Sequence, residues 1–301
     1  MERLLLGDID DVSRPEKLVS LGVSHLLTLD RRPLPLADRE AFTYKFVHAL
    51  DMENVDLLSK ISACVEFIES GRTSGGTVMV HCQAGQSRSA AVVLAYVMQK
   101  LDLSLEDAMT LVRKQRPQIG PNEGFMRQLE LFEVMGNKVD LQSNHFKVYR
   151  LNLIAEKIQE GGDLAEVFSQ LSTDPSQQPA SDPHAVVYKC KKCRRLLFRH
   201  TSVMPHEVGV GDAAFDWRRK ETASVEGASC TQSLFVEPVL WMQRDILTME
   251  GKIGCPKCNA KLGSFNWFGE RCPCGTWVTP AIHIQSNKVD KSQPRAPLKP
   301  P

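Results

Sequence analysis

The chain has 301 residues, with 37 Lys and Arg against 36 Asp and Glu, and its 42% hydrophobic and 24% charged content is that of a globular protein. No stretch approaches the roughly 20 apolar residues of a membrane span. The first eight residues, Met-Glu-Arg-Leu-Leu-Leu-Gly-Asp, hold no signal-peptide core, so neither secretion nor membrane insertion is expected. The near-zero net charge hides segregation. Residues 1–140 carry 16 basic and 20 acidic side chains, a net −4, and residues 141–186 carry 3 and 6, a net −3. Residues 187–285 carry 14 and 9, a net +5, and residues 286–301 carry 4 and 1, a net +3. An acidic front half joined to a basic back half predicts two domains with different partners.

In chain order, residues 23–29 and 43–49 are short apolar or β-branched runs that predict strands. Residues 54–69 carry helical periodicity through Leu57, Leu58, Ile61, Val65 and Ile68. The Gly75-Gly76 turn precedes Thr77-Val-Met-Val-His81, a buried-strand signal. Residues 88–100 predict a strongly apolar helix, whose run 90–98 has the length of a buried helix face. Ser104-Leu-Glu-Asp107 opens another helix with a capping-box pattern, ending before Pro117, and a further helix runs from Pro121 to Glu133. The spacing of Leu151, Ile154, Ile158, Leu164 and Phe168 predicts a helix within 145–171. Strands interleaved with helices define an α/β layer fold. Ser, Gln, Asp and Pro make 172–183 a linker, and the end, Pro-Arg-Ala-Pro-Leu-Lys-Pro-Pro, reads as disordered. The expected organisation is a domain over 1–136, a helical extension over 137–171, a linker over 172–186, a second domain over 187–285 and a tail over 286–301.

The most informative segment is Val80-His-Cys-Gln-Ala-Gly-Gln-Ser-Arg-Ser89. A cysteine directly after an apolar strand, followed by a glycine-bearing loop and a helix, is built to hold an anion. Backbone N–H groups of Gln83, Ala84, Gly85, Gln86 and Ser87 can point inward, and the helix N-terminus adds positive potential. That environment favours the thiolate of Cys82, a nucleophile. Arg88, six residues on, can return to the same point and bind two phosphate oxygens. Ser89 can hydrogen-bond the sulfur and help it leave in a second step. The alternative, a buried structural cysteine beside a chance arginine, does not account for the whole pattern. The departing oxygen requires a proton, and Asp51, directly after the run 43–49, is the candidate acid. Its rivals are Glu53, read as an exposed loop residue, and Asp56, read as first-turn helix charge.

On Leu-Leu-Leu-Gly-Asp at the start, Ala49-Leu-Asp51, His81-Cys82-x5-Arg88-Ser89 and Gly120-Pro-Asn-Glu-Gly-Phe125, residues 1 to 136 resemble a dual-specificity protein phosphatase of the cysteine-dependent superfamily. The resemblance implies a twisted sheet flanked by helices, a phosphoprotein substrate and Asn122 as a buttress of the phosphate loop. Asn122 also reads as a helix N-cap, and the two roles are compatible. With the chain starting almost at the catalytic domain, no N-terminal kinase-docking domain is expected. Gln83, Ala84 and Gln86 are neutral and add no cation for a polyphosphorylated head group; RNA or a phosphoinositide is a further substrate reading.

The back half holds seven of the nine cysteines and all four tryptophans. Without a secretory signal, Cys190-Lys-Lys-Cys193, Cys255-Pro-Lys-Cys258 and Cys272-Pro-Cys274 read as ligands of tetrahedral Zn²⁺. Taken consecutively, Cys255, Cys258, Cys272 and Cys274 complete one site. Cys190, Cys193 and Cys230 then need a histidine: His206 or His200, with His184 and His283 as further options, and His206 is the one assigned. Two structural zinc ions and no catalytic metal are expected. Seven thiolates and two Zn²⁺ contribute −3, which takes the +5 of residues 187–285 to about +2. The clusters Lys191, Lys192, Arg194, Arg195 and Arg218-Arg-Lys220 are a candidate nucleic-acid patch, with solvated surface as the alternative. The tryptophans of Trp267-Phe-Gly and Thr276-Trp-Val read as core anchors. Through Cys255-Pro-Lys-Cys-x-Ala-Lys-Leu-Gly-Ser-Phe-Asn-Trp-x-Gly-Glu-x-Cys the resemblance extends over nearly the whole chain, to dual-specificity phosphatases with a C-terminal zinc-binding domain. It implies association with maturing large ribosomal subunits and a place in cytoplasm and nucleus.

Overall fold

The strands of the front half are short apolar runs covered on both faces, and their alternation decides what packs on each. The computed structural model describes residues 2–161, 171–177, 185–209, 230 and 233–292. The front elements are β1 (Leu4–Gly7), α1 (Ile9–Val12), α2 (Pro15–Ser20), β2 (Val23–Asp30), α3 (Leu36–Arg39), β3 (Thr43–His48), α4 (Leu58–Thr73), β4 (Thr77–His81), α5 (Arg88–Leu101), α6 (Leu105–Arg113) and α7 (Glu123–Val134). The strands form a parallel sheet in the order β1-β4-β2-β3. Leu5, Met79 and Leu26 are neighbours in register on the face that packs with Val12 of α1 and Leu18 of α2. Val78 and Val80 alternate with Met79 and take the other face, where Gly71 of α4 lies so close that a Cβ would meet Val78 at 2.6 Å.

Helix α5 is buried from Arg88 to Met98 and contacts α4, α6 and α7. A helix apolar all round belongs inside, and this one aims its first turn from the end of β4. Helix α7 starts at Asn122, whose side chain accepts the Phe125 N–H at 2.9 Å. Its second residue, Gly124, sits against the turn after β3, where a Cβ would lie 2.0 Å from the Glu53 carbonyl.

The chain divides into two compact units, Met1–Ser143 and Asn144–Pro301. The second opens with α8 (Asn144–Gln159), followed by β5 (Val187–Cys190), β6 (Leu196–Arg199), β7 (Val203–Met204), β8 (Leu234–Val236), β9 (Glu250–Gly254), β10 (Lys261–Asn266), β11 (Glu270–Arg271), β12 (Trp277–Val278), β13 (Ala281–Ile284) and β14 (Val289–Ser292). They form a sheet β7-β8-β13-β10-β9, a sheet β14-β5-β6 and the ribbon β11-β12. Leu151 and Ile154 of α8 join Phe198, Phe235, Phe265 and Trp267 in its core.

Three boundaries differ from the sequence reading. Helix α8 belongs to the second unit, because its apolar stripe is buried there rather than on an extension of the first. The start of the expected linker is tied in: Ser172 bridges Val239, and buried Asp174 pairs with Arg195 at 2.5 Å. The expected tail begins as structure, since Val289–Ser292 pairs with β5. Trp277 is 63% exposed and is no core anchor, whereas Trp267 is 2% exposed and donates Nε1–H to the Ile246 carbonyl at 3.2 Å. Leu164, Phe168, residues 178–184 with His184, Trp217, Arg218-Arg-Lys220 and residues 293–301 lie outside the described residues. Among the described residues no helix is long and apolar enough to cross a membrane.

Gly124→Ala should overpack the turn at Glu53 and cost about 1–3 kcal/mol. The front unit's thermal transition should fall by several degrees. Gly120→Ala, where a Cβ would meet nothing within 4 Å, should leave it in place.

Candidate active site and metal centres

The loop between β4 and α5 gets its shape from three hydrogen bonds that hold carbonyls away from it. The Gln83 carbonyl accepts the Ile9 N–H at 3.2 Å, the Gln86 carbonyl accepts the Gly120 N–H at 2.9 Å, and the Gly85 carbonyl accepts Arg116 Nε–H at 3.2 Å. A trans peptide points its C=O and the following N–H in opposite directions. With these carbonyls turned out, the N–H groups of Ala84, Gln86 and Ser87 turn into the loop, beside the N-terminus of α5. Gly85 has φ +63°, and a Cβ there would meet the Gly7 carbonyl oxygen at 2.6 Å, so the position requires glycine.

Cys82 opens the loop, fully buried, with Ser89 Oγ–H donating to its Sγ at 3.1 Å. Arg88 is 7% exposed; its Nη1 donates to Asp30 Oδ1 at 3.0 Å and to the Ala49 carbonyl at 3.3 Å. Arg88 Nε lies 3.6 Å from Asp51 Oδ2, and it is buried with no hydrogen-bond partner among the described residues. Asp51 Oδ1 accepts Ser87 Oγ–H at 2.6 Å and Asn122 Nδ2–H at 2.9 Å. The Asn122 N–H donates to Ser87 Oγ at 3.1 Å, so Asn122 caps α7 and ties the loop's end to Asp51 at once. Of the rivals to Asp51, Glu53 pairs with exposed Arg127 at 3.0 Å, and Asp56 accepts the Ser59 N–H at 3.0 Å.

His81, directly before Cys82, is fully buried and lies 2.7 Å by Nε2 from Thr28 Oγ1. Burial pushes it down to about 4, so it is neutral beside the loop at physiological pH. Two contributors escape the sequence reading, Asp30 and Arg116, and a third, Asp8, enters it only as the end of the Leu-Leu-Leu-Gly-Asp motif. Arg116 binds the Leu6 carbonyl at 3.2 Å and Asp8 Oδ2 at 2.9 Å as well as the Gly85 carbonyl, and thereby stitches the end of β1 to the loop. Asp30 leaves one signal, a carboxylate ending a strand whose core-facing run is Leu26, Leu27 and Leu29.

The second unit gathers its cysteines in two groups: Cys190, Cys193, Cys255 and Cys258, and His206, Cys230, Cys272 and Cys274. The consecutive pairing expected from sequence is therefore replaced by an interleaved one. The knuckles 190–193 and 255–258 share one loop geometry. The first cysteine's N–H bonds the carbonyl five residues on (Arg195, Ala260), and its carbonyl accepts from a residue at positive φ four residues on (Arg194, Asn259). Two like loops facing each other close one site. Cys230, the pair Cys272 and Cys274, and His206 close the other, and His200, beside Tyr188, stays out of it.

Both groups fit Zn²⁺. Sulfurs about 2.3 Å from a tetrahedral ion lie about 3.8 Å apart. The Sγ–Sγ distances are 3.8 Å for Cys190–Cys258, 3.6 Å for Cys193–Cys255 and 3.7 Å for Cys230–Cys272, with Cys274 Sγ 3.4 Å from His206 Nε2. Burial raises the Cys274 thiol, but N–H groups of Gly209 and Thr276 and the Thr276 hydroxyl outweigh it and hold it down to about 5. A bound ion there would crosslink strands distant in sequence.

A cysteine and an arginine delivered by a parallel sheet to an N–H-lined loop at a helix N-terminus define a phosphate-handling cysteine enzyme. Known proteins agree. The dual specificity phosphatase catalytic domain matches residues 4–135. Mouse dual specificity protein phosphatase 12 is 45% identical over 296 residues, covering 96% of this chain and 86% of its own. Tyrosine-protein phosphatase YVH1 of Saccharomyces cerevisiae is 36% identical over 234 residues, covering 72% and 64%. The crystal structure of the Yvh1 phosphatase domain from Chaetomium thermophilum is 29% identical, covers 46% of this chain and 95% of that one, and gives a TM-score of 0.44. The chain belongs to the dual-specificity protein phosphatases, and within them to the family of dual specificity protein phosphatase 12.

The interleaved pairing has a direct test. Elemental analysis of the full chain should find two zinc ions. The double change Cys190→Ser with Cys255→Ser should remove one, because both thiolates serve the same ion. Consecutive pairing requires it to remove both.

Proposed function

We propose that this hydrolase, a protein phosphatase, releases phosphate from phosphotyrosine and from phosphoserine or phosphothreonine through a cysteinyl-phosphate on Cys82. The observation that carries the reading is the convergence on one loop of a buried Cys82 sulfur, the Ser89 hydroxyl at 3.1 Å, the inward N–H groups and a buried Arg88 Nε with no hydrogen-bond partner among the described residues. The Cys82 thiolate attacks phosphorus as the ester P–O bond breaks. The N–H groups and Arg88 hold the phosphoryl oxygens as charge spreads over them. Asp51 gives the leaving oxygen its proton. Its Oδ1 already takes two hydrogen bonds, so the transferable proton belongs on Oδ2. In the second step Asp51 takes a proton from water, the water oxygen bonds phosphorus, and the S–P bond breaks with Ser89 Oγ–H donating to the departing sulfur. Zinc has no part in these steps; it would hold the fold of the second unit.

Cys82→Ser should abolish turnover and leave binding of a tetrahedral oxyanion intact, as measured by steady-state kinetics and tungstate titration. Asp51→Asn should lower kcat by roughly 10²–10⁴ on phosphotyrosine peptides, whose leaving group needs protonation. The loss should shrink on an activated aryl phosphate. Equal losses on both substrates would assign the proton to another group.

A second reading makes the second unit a docking module, with catalysis secondary. It rests on the separately built core and on exposed Lys191 and Lys192 in the first knuckle. The resemblance points it at maturing large ribosomal subunits in cytoplasm and nucleus. Expressing Cys82→Ser and Cys190→Ser in cells lacking the protein separates the roles. If docking is primary, only the Cys190 change should lose co-sedimentation with large-subunit particles and the cellular function.

A further inference from the structure

Arg88 is held at one corner, and the corner determines which edge of the guanidinium meets the phosphoryl group. Its Nη1 is occupied by Asp30 Oδ1 at 3.0 Å and the Ala49 carbonyl at 3.3 Å. Both acceptors come from neighbouring strand ends that are tied together, since the Ala49 N–H donates to the Asp30 carbonyl at 3.1 Å. The Asp30 carboxylate is itself fixed: Oδ1 also accepts the Arg31 N–H at 2.7 Å, and the side chain is 19% exposed. β2 is an interior strand of the sheet, so its end is not free to drift.

A guanidinium binds two oxygens of a tetrahedral anion through two parallel N–H groups. With Nη1 taken, the edge left for the anion is Nε with Nη2, and Nε is buried with no hydrogen-bond partner among the described residues, Asp51 Oδ2 standing 3.6 Å away. We propose that Asp30 is a positioning residue for phosphate: it anchors Nη1 so that Arg88 presents its Nε–Nη2 edge to the loop. The proposal rests on Arg88 binding the phosphoryl group, as argued above.

Charge and geometry give opposite signs here, which makes the inference testable. As a bare anion near the loop, Asp30 repels phosphate, so removing its charge should tighten binding. As an anchor it aids binding, so moving the acceptor should weaken it. Asp30→Asn keeps an oxygen in place and drops the charge; Asp30→Glu keeps the charge and displaces it by one methylene.

The experiment is competitive inhibition of aryl-phosphate turnover by tungstate in the full chain, for Asp30→Asn, Asp30→Glu, Asp30→Ala and Arg88→Ala, with thermal melts as the check on folding. Tungstate binding to the Arg88→Ala protein is read by titration. Asp30→Ala and Asp30→Glu should raise the tungstate Ki and the substrate KM at least tenfold, with a smaller fall in kcat. Asp30→Asn should stay within threefold of the parent protein. In an Arg88→Ala background, Asp30→Ala should change tungstate affinity less than twofold, because the group it positions is gone. If Arg88→Ala weakens tungstate but Asp30→Glu and Asp30→Ala bind it as the parent does or more tightly, the positioning role is wrong and the phosphate-binding role of Arg88 stands. Unchanged tungstate affinity in Arg88→Ala overturns that underlying reading instead. Should Asp30→Ala fail to fold, the contrast between Asp30→Asn and Asp30→Glu decides alone.

Discussion

The front unit depends on keeping the carbonyls of one loop turned outward. A dianionic phosphoryl group cannot be held by peptide oxygens, and every peptide that points its C=O outward delivers an N–H inward. Three carbonyls are held this way by partners from well separated segments: Ile9 after β1, Arg116 after α6 and Gly120 before α7. Much of the unit's architecture follows from that demand. The parallel sheet brings Gly7 beside His81, so the start of the chain and the loop meet at one sheet end. The deep burial of α5 fixes the other end of the loop and, with it, Arg88 and Ser89.

The charges around the loop form a closed set rather than a positive hole. Arg88 is nearly buried, and a buried cation without a counterion is costly. Asp30 meets that need at one corner while Asp51 lies 3.6 Å from another. Asn122 and Ser87 then restrain Asp51 through one carboxylate oxygen and leave the second facing the site. Asp51, Ser87 and Asn122 are therefore one hydrogen-bonded network with Arg88 beside it as an ion pair, and a change at α7 reaches the carboxylate through Asn122.

The second unit solves a different problem. Its strands are mostly two to five residues long, and apart from α8 it has no long helix among the described residues. A core of this kind gains from crosslinks, and ions bound at the thiolate clusters would supply them by joining segments about 65 and 40 residues apart. Buried charges are paired as well: Lys147 and Arg150 meet Glu237, and Arg195 meets Asp174.

The sequence by itself singled out the chemistry-bearing loop, the candidate acid and the candidate ligand residues. Cys82, Arg88 and Ser89 fall within eight consecutive positions, where strand, turn and helix geometry are local. Asp51 comes three residues after a strand ends, and knuckle spacing names a ligand without its partners. The apolar runs at 23–29, 43–49 and 77–81 likewise declared strands interleaved with helices. Only the tertiary structure decided what depends on distant segments meeting. Asp30 reads as an unremarkable strand end until the parallel pairing of β2 and β3 sets it beside Ala49 and the returning Arg88. Arg116 is one charge in a helical run until it reaches the Gly85 carbonyl. The interleaved cysteine pairing and the assignment of α8 to the second unit have the same origin. A side chain's chemistry is written at its own position, but its partner is chosen by how the sheets close.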